Sequence, residues 1–144
     1  MQGYFKPRHP EKYEGNVKNI IYRSSWEFNY MMKLDSDPAV VAWVSEGIRI
    51  PYYSPKDRRI HGYYPDFIIC KRFPSGRDET FMIEIKPMNQ CVVPKNKPGK
   101  SRRRLINETF RYAVNQAKWQ AASKYCSNRG WVFKVLTERE LKVW

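Results

Sequence analysis

The first periodic segment of the chain carries apolar residues at helical spacing, from about Ser25 to about Leu34. Ser24 and Glu27 form an S-x-x-E capping box in front of it, in which the serine oxygen accepts a hydrogen bond from an early backbone N–H group. The following "DSDP" ends the run, because the residue before a proline is pushed out of α space. The pattern therefore predicts a first helix with a glutamate in its first turn.

Three segments after this helix have the composition and alternation of β-strands. They are Ile48–Tyr53, Tyr63–Cys70 and Thr80–Lys86, and together they predict a meander. Residues 54–62, "SPKDRRIHG", are rich in Ser, Pro, Asp and Gly and predict a turn or loop. The preceding "PAVVAWVSEG" is ambiguous between a short turn and a buried extended segment.

Helical spacing returns from Leu105 to Asn128, with Gly130 as the stop and Asn115 as a candidate cap for a second helix within the run. Residues 131–136 predict a fourth strand, and the capping box that begins at Thr137 predicts a short C-terminal helix. The order α, β, β, β, α, β, α indicates an α/β fold with a mixed sheet of about four strands flanked by helices.

The length of 144 residues predicts a single domain that spans residues 1–144. Residues 1–19 are polar, contain Pro7, Pro10 and Gly15, and show no sustained period. We therefore expect an irregular N-terminal arm that lies on the domain or on its ligand.

The charge of the chain indicates a polyanionic partner. Lys and Arg number 27 against 14 Asp and Glu, which gives a formal charge of +13. Nucleic acid and an anionic membrane surface both fit this charge, but no apolar run approaches the roughly 20 residues of a spanning helix, so we expect no membrane partner. The N-terminus lacks the apolar core of a signal peptide, and the cysteines (Cys70, Cys91 and Cys126) are odd in number and widely spaced. We expect a cytosolic chain with reduced thiols and no zinc site.

Candidate chemistry lies on two of the predicted strands. The strand period of two puts Glu84 and Lys86 of "FMIEIK" on one face, although such a pair is more often a surface ion pair. Asp66 follows Pro65 at the start of the preceding strand, and Pro-Asp is also an ordinary turn dipeptide. Antiparallel pairing can bring Asp66 beside Glu84, where the two carboxylates repel unless a cation neutralises them. Mg²⁺ prefers such oxygen ligands, with Mn²⁺ as a substitute, and the carbonyl of Ile85 is a further candidate ligand.

Pro65-Asp66 followed by Glu84-Ile85-Lys86 resembles the signature of the PD-(D/E)XK nucleases, whose core is a helix with a Glu, a mixed sheet with the Asp and the E-x-K, and a second helix. The blocks "YRSSWE", "PAVVAWVSEGIRIPYY", "GYYPDF", "MIEIKP" and "VNQAKWQAA" followed by "FKVLTEREL" are similar, in that order, to the head completion nucleases of tailed phages of the large myovirus type. They are more distantly similar to TnsA-type transposition endonucleases. The resemblance covers roughly residues 13 to 141.

This resemblance implies a restriction-endonuclease-like core and Mg²⁺-dependent cleavage of DNA, endonucleolytic or exonucleolytic, late in virion assembly before the head joins its tail. It places Glu27, Asp66, Glu84 and Lys86 at the catalytic positions, with the three carboxylates as metal ligands. It also implies that the protein acts in the host cytoplasm during phage assembly, with portal, neck or other head components as partners; retention in the virion and the oligomeric state stay open.

Other residues are candidates for contact with DNA. The segment "KNKPGKSRRR" has six basic residues in ten, and a solvated loop is the alternative interpretation. The DNA-contacting candidates are Arg23, Lys100, Arg102, Arg103, Arg104 and Lys118. Glu46 lies in one of the matching blocks, and we favour a surface position for it over a place in the site.

Three functions compete on this sequence. The first is a metal-dependent DNA nuclease in phage head completion, the second is a non-catalytic basic head-completion protein that binds DNA, and the third is a TnsA-like transposition or restriction endonuclease subunit. A pure binder of a polyanion gains nothing from three carboxylates that face the phosphates, so the acidic set favours an enzyme.

Overall fold

The helices and strands lie within residues 1–142, the part of the chain that this computed structural model describes. The elements are β1 (Gly3–Tyr4), β2 (Ile21–Tyr22), α1 (Ser25–Ser36), β3 (Val40–Ser45), β4 (Ile50–Ser54), β5 (Arg59–Tyr63), β6 (Phe67–Arg72), β7 (Asp78–Ile85), α2 (Arg102–Ser127), β8 (Val132–Leu136) and α3 (Glu138–Leu141). Single 3-10 turns lie at Pro10–Lys12 and Met88–Gln90. None of the helices within this range is both long and apolar enough to cross a membrane.

Four strands form the central sheet in the order β3-β6-β7-β8. The β3–β6 and β6–β7 pairs are antiparallel, whereas β7 and β8 are parallel and α2 crosses over between them. The tight β6–β7 connection is closed by a hydrogen bond from the N–H of Phe73 to the carbonyl of Arg77, 2.9 Å long. The predicted fold class, a mixed sheet of about four strands flanked by helices, is confirmed.

The two faces of the sheet carry separate hydrophobic cores. Phe81, Ile83 and Ile85 of β7 pack with residues of α1 on one face. Met82 points the other way, into a core that contains Trp119 of α2. This is the alternation that the strand period predicts, and it directs Glu84 away from the α1 core.

The second helix is longer and simpler than the prediction. It begins at Arg102, where Ser101 caps it by accepting a hydrogen bond from the N–H of Arg104 at 3.1 Å. The predicted cap at Asn115 is wrong, because Asn115 is a buried residue inside one continuous helix. The helix continues through Asn115 because this part of α2 is buried, although asparagine often caps a helix.

The strand predictions were wrong between β4 and β6. The predicted loop 54–62 contains most of β5, which pairs with β4 as a separate two-stranded hairpin. Tyr63 ends that hairpin instead of beginning the strand that carries Asp66, so the three predicted strands do not form one meander. The ambiguous segment before them is β3, at the edge of the central sheet.

The N-terminal arm is fastened to α1 and to the sheet. Phe5 is buried in the α1 core, and the N–H group of Glu14 bonds the carbonyl of Trp43 on the edge strand β3 at 2.8 Å. The ammonium group of Lys12 donates to three carbonyl groups at the end of α1, those of Leu34, Asp35 and Asp37, at 2.6, 2.9 and 2.9 Å. A cation at this position satisfies carbonyl groups that a helix end leaves free.

Candidate active site

Asp66 and Glu84 are brought together by the register of β6 and β7. Phe67 is paired with Ile83, so Asp66, one residue before β6, lies opposite Glu84. The Oδ2 atom of Asp66 accepts a hydrogen bond of 2.7 Å from the backbone N–H of Ile85. The side chain of Asp66 therefore accepts a backbone hydrogen bond at the end of β7, and this bond fixes the carboxylate there.

Glu84 is held at both of its carboxylate oxygens. Its side chain is only 7% exposed, Oε1 accepts a hydrogen bond of 2.7 Å from the hydroxyl of Tyr63, and Oε2 lies 3.4 Å from the ammonium nitrogen of Lys86. Burial of an ionised carboxylate is unfavourable unless such partners are present. The predicted shared face of Glu84 and Lys86 is thus observed, together with a tyrosine that the sequence analysis did not identify.

The electrostatics of this pair favour a bound cation. Burial raises the pKa of the Asp66 carboxyl well above its ordinary value, and the Glu84 charge raises it further. The hydrogen bond from Ile85 lowers the same pKa, the Glu27 charge raises it, and the Lys86 charge lowers it. Two repelling carboxylates with waters and substrate phosphate as the remaining ligands suit Mg²⁺, which rarely takes a full set of ligands from protein. Within residues 1–142, no three His, Cys, Asp or Glu side chains form a group that could hold a metal ion, so Glu27 does not complete a three-carboxylate set in this conformation.

Glu27 lies in the first turn of α1 and is part of the helix cap. Its N–H group donates to Ser24 Oγ at 3.1 Å, and the Ser24 hydroxyl lies 3.2 Å from Oε2 of Glu27. Burial raises the pKa of Glu27, the hydrogen bond from Ser24 lowers it, and the Glu46 charge raises it. Glu27 therefore has a capping role, and its charge also acts on Asp66.

Glu46 contacts the backbone of Asp66 and pairs with Arg23. The guanidinium group of Arg23 forms an ion pair with Glu46. The N–H group of Glu46 donates to the carbonyl of Asp66 at 3.1 Å, and Glu46 adopts a positive φ of 50°. The side chain of Glu46 is 40% exposed, as the favoured surface position requires, but its backbone also helps to fix Asp66.

Lys118 reaches the same region from α2. Its ammonium nitrogen lies 5.8 Å from the ring centre of Tyr52 and 5.8 Å from that of Tyr63. Burial lowers the pKa of Lys118 and the Lys86 charge lowers it further, whereas Glu84 and Asp66 oppose this shift. Tyr63 thus contacts both a carboxylate and an ammonium group, and nothing in the sequence pattern separates it from its neighbour Tyr64.

The basic segment that leads into α2 contains cations that bond a carboxylate and cations that do not. The Lys100 side chain is 9% exposed and bonds Glu108 at 2.8 Å, and Arg104 bonds the same carboxylate at 2.9 Å. Arg102 and Arg103 are exposed, and neither forms a salt bridge within residues 1–142. Two of the four cations predicted to contact DNA in this segment therefore hold the start of α2 together.

Similarity to known proteins supports a nuclease role for the chain. A family model described as the N-terminal part of TnsA-like endonucleases matches residues 37–138, which include Asp66, Glu84, Lys86 and Lys118. The chain belongs to the TnsA-like endonuclease family. The head completion nuclease of Enterobacteria phage T4 is 36% identical over 143 residues, which cover 97% of this chain and 93% of that protein. No solved structure matches the chain significantly.

Membership of the TnsA-like endonuclease family confirms the predicted family and supports a nuclease role. Glu27 precedes the matched region, on α1, whereas the PD and E-x-K motifs lie inside it. The structure brings Asp66, Glu84, Lys86 and Lys118 into one region and places Glu27 within electrostatic reach of Asp66. The catalytic and metal-binding roles of these residues stay predictions.

Proposed function

We propose that this protein is a Mg²⁺-dependent DNA nuclease of the PD-(D/E)XK type that acts in phage head completion, and that Mn²⁺ can replace Mg²⁺. The observation that carries the proposal is the Asp66–Glu84 carboxylate pair with Lys86 beside it. A structural ion pair needs one acid and one base, whereas two acids at one point are stabilised by an additional cation.

The roles of the side chains follow from their positions. Asp66 and Glu84 would hold the metal, which supplies a Lewis acid and a water of lowered pKa when bound. Lys86, 3.4 Å from Glu84, is placed to orient the attacking water or to offset charge on the phosphate as it becomes pentacoordinate. Tyr63 fixes Oε1 of Glu84 and so keeps the carboxylate in one orientation. Glu27 adds negative charge beside Asp66 and is the remaining candidate ligand.

Binding of DNA is assigned to the basic surface. Lys118 lies beside the carboxylate pair, and Arg102 and Arg103 are exposed at the start of α2. Arg23, Lys100 and Arg104 are engaged with carboxylates, so they are weaker candidates for phosphate contacts.

The place of the reaction rests on the relative. The phage T4 protein is named for head completion, and its similarity extends over nearly the whole chain. We assign the same process to this protein, in the host cytoplasm before head and tail join, with portal, neck or other head components as partners. The match to TnsA-like endonucleases also supports an endonuclease subunit of transposition or restriction, which would share the chemistry and differ in its partner.

Cleavage of supercoiled plasmid tests the proposal. We expect nicking with Mg²⁺ or Mn²⁺ and none with EDTA, because the repelling carboxylates need the metal. Lys86→Ala should lose nicking and keep most DNA binding, whereas the control Lys124→Ala, an exposed lysine on α2, should keep both. Undiminished nicking by Lys86→Ala would remove its catalytic assignment, and a wild type that is inactive with every metal would favour the non-catalytic DNA-binding protein.

A further inference from the structure

The β4–β5 hairpin ends in a turn with an excess of positive charge. Lys56, Arg58 and Arg59 are all exposed, and none forms a salt bridge with any carboxylate of residues 1–142. The acid of the turn, Asp57, instead accepts hydrogen bonds from His61 at 2.7 Å and from the N–H of Arg59 at 3.1 Å. The turn therefore presents three cations to solvent.

The other end of the hairpin lies at the carboxylate pair. Ile50 and Tyr63 are the last paired residues, and Tyr63 bonds Glu84. Strands rise about 3.3 Å per residue, so Arg59 lies about 13 Å along the ribbon from Tyr63. This distance corresponds to about four base pairs of duplex DNA.

The turn also carries backbone strain. Arg58 has a φ of 59°, in the left-handed region that glycine and asparagine adopt more easily. Its N–H group bonds the carbonyl of Ser54 at 2.9 Å, so this conformation closes the turn. The conformation makes a test of the side chain possible, because Arg58→Gly removes the charge and relieves the strain at the same time.

The outer face of the hairpin suits a nucleic acid. Tyr53 and Ile60 are paired across the two strands and are 56% and 63% exposed. A Cβ atom at Gly62 would clash with the Arg49 side chain, so the glycine lets this guanidinium group lie across the ribbon. A two-stranded ribbon fits the major groove of B-DNA. The exposed Tyr53 ring can contact the bases there, and the Arg49 guanidinium group can contact the phosphates.

We propose that the β4–β5 hairpin is a DNA-binding ribbon, with Lys56, Arg58 and Arg59 as phosphate contacts on the duplex about four base pairs from the scissile phosphate. The inference rests on the proposed function, since it takes DNA as the substrate. Tyr63 holds one end of the ribbon beside the carboxylate pair, and the tip at the other end contributes to the affinity for DNA. The tip itself makes no contact with the carboxylate pair.

The decisive variant is Arg58→Gly, which removes one charge and relieves the left-handed backbone. Lys142→Gly is its matched control, because Lys142 is an exposed cation with a φ of 54° at the end of α3. Binding to a duplex oligonucleotide is measured by fluorescence anisotropy in EDTA at several salt concentrations, and melting temperatures are measured in parallel. We expect both variants to melt no lower than wild type. Arg58→Gly should bind duplex several-fold more weakly, with a slope of log K against log salt reduced by about 0.9, and Lys142→Gly should match wild type.

A triple variant, Lys56→Ser with Arg58→Gly and Arg59→Ser, extends the test to cleavage. It should raise the KM for plasmid nicking with little change in kcat, because the tip binds substrate away from the reacting atoms. The ribbon proposal is wrong if Arg58→Gly binds duplex DNA with the affinity and salt slope of wild type. It is also wrong if the variant loses only its binding to single-stranded DNA, or if only its oligomeric state changes. A wild type that binds duplex DNA but does not cut it with any metal would refute the proposed nuclease. The comparison of duplex binding would still decide whether the hairpin binds DNA.

Discussion

Glu27 has an observed role in the cap and a proposed role in the site, and the two roles make different demands on one side chain. As part of the cap it needs an oxygen near the Ser24 hydroxyl, 3.2 Å away. As a member of the proposed site it would need its negative charge, which acts on Asp66. Glutamine can satisfy the first requirement but not the second.

Glu27→Gln should therefore melt near the wild-type temperature and lose most DNA cleavage. Ser24→Ala should lower the free energy of unfolding by about 1 kcal/mol and retain cleavage wherever it is folded. Thermal melts and a Mg²⁺ titration of plasmid nicking check both outcomes. If Glu27→Gln cuts like wild type, the glutamate is only a cap, and the site reduces to Asp66, Glu84 and Lys86.

Asp66 should make the metal-free protein less stable as the pH rises. Burial and the Glu84 charge raise the pKa of Asp66 in the folded state, so the folded protein holds this proton more tightly than the unfolded chain. Its contribution to stability is fully present below the unfolded pKa of about 4 and is lost as the pH rises through the folded pKa. The carboxylate pair thus destabilises the fold at neutral pH.

Asp66→Asn removes the charge and keeps an oxygen to accept the hydrogen bond from Ile85. In EDTA at neutral pH, this variant should unfold at a higher urea concentration than wild type, and the difference should shrink as the pH falls toward 4. Mg²⁺ should stabilise wild type more than the variant. An equal difference at every pH would show that Asp66 is not the titrating group.

At the scale of elements, the sequence predicted the parts whose signals are local. The apolar run along β7 marks a strand clearly because both of its faces are buried, and the strand period of two placed Glu84 and Lys86 on one face. The pairing of β6 with β7 across a short turn then brought Asp66 opposite Glu84. Spacing alone therefore grouped these three candidate residues, and the family resemblance supplied their proposed catalytic roles.

The elements that were missed depend on contacts between distant segments. β5 is mostly exposed and carries Arg59, Ile60 and His61 in sequence, so it lacks the apolar alternation that marks a strand. Asn115 has the chemistry of a cap, but the helix continues because its neighbours, including Trp119, pack on the sheet. Tyr63 enters the site only through the β4–β5 hairpin, most of whose second strand the sequence pattern predicts as a loop.

At the scale of the whole molecule, the charge of +13 is unevenly available to a partner. Near the start of α2, the side chain of Glu108 is 19% exposed and forms ion pairs with Lys100 and Arg104. Arg102 and Arg103 are exposed. A partly buried carboxylate that loses its cations is destabilised, while exposed arginines can be neutralised at little cost to the fold.

Two double variants separate these functions. Arg102→Gln with Arg103→Gln should weaken DNA binding and reduce the slope of log K against log salt by about 0.9 for each phosphate that is no longer neutralised, with an unchanged melting temperature. Lys100→Gln with Arg104→Gln should lower the melting temperature. Anisotropy titrations and thermal melts compare them, and equal salt slopes for both variants and wild type would show that the exposed arginines do not contact DNA.

The parallel pairing of β7 with β8 also sets the order in which the molecule can be completed. The β6–β7 hairpin joins neighbouring segments and can form early, but the partner of Ile85 is Leu136, about fifty residues further along. The N–H group of Lys86 is tied to the carbonyl of Leu136 at 2.9 Å. On the ribosome, the strand that carries Glu84 and Lys86 therefore has one open edge until α2 has crossed the sheet and β8 has been made. The β6–β7 hairpin can bring Asp66 and Glu84 together before the backbone of Lys86 is fixed, so the proposed site can be completed only late in synthesis.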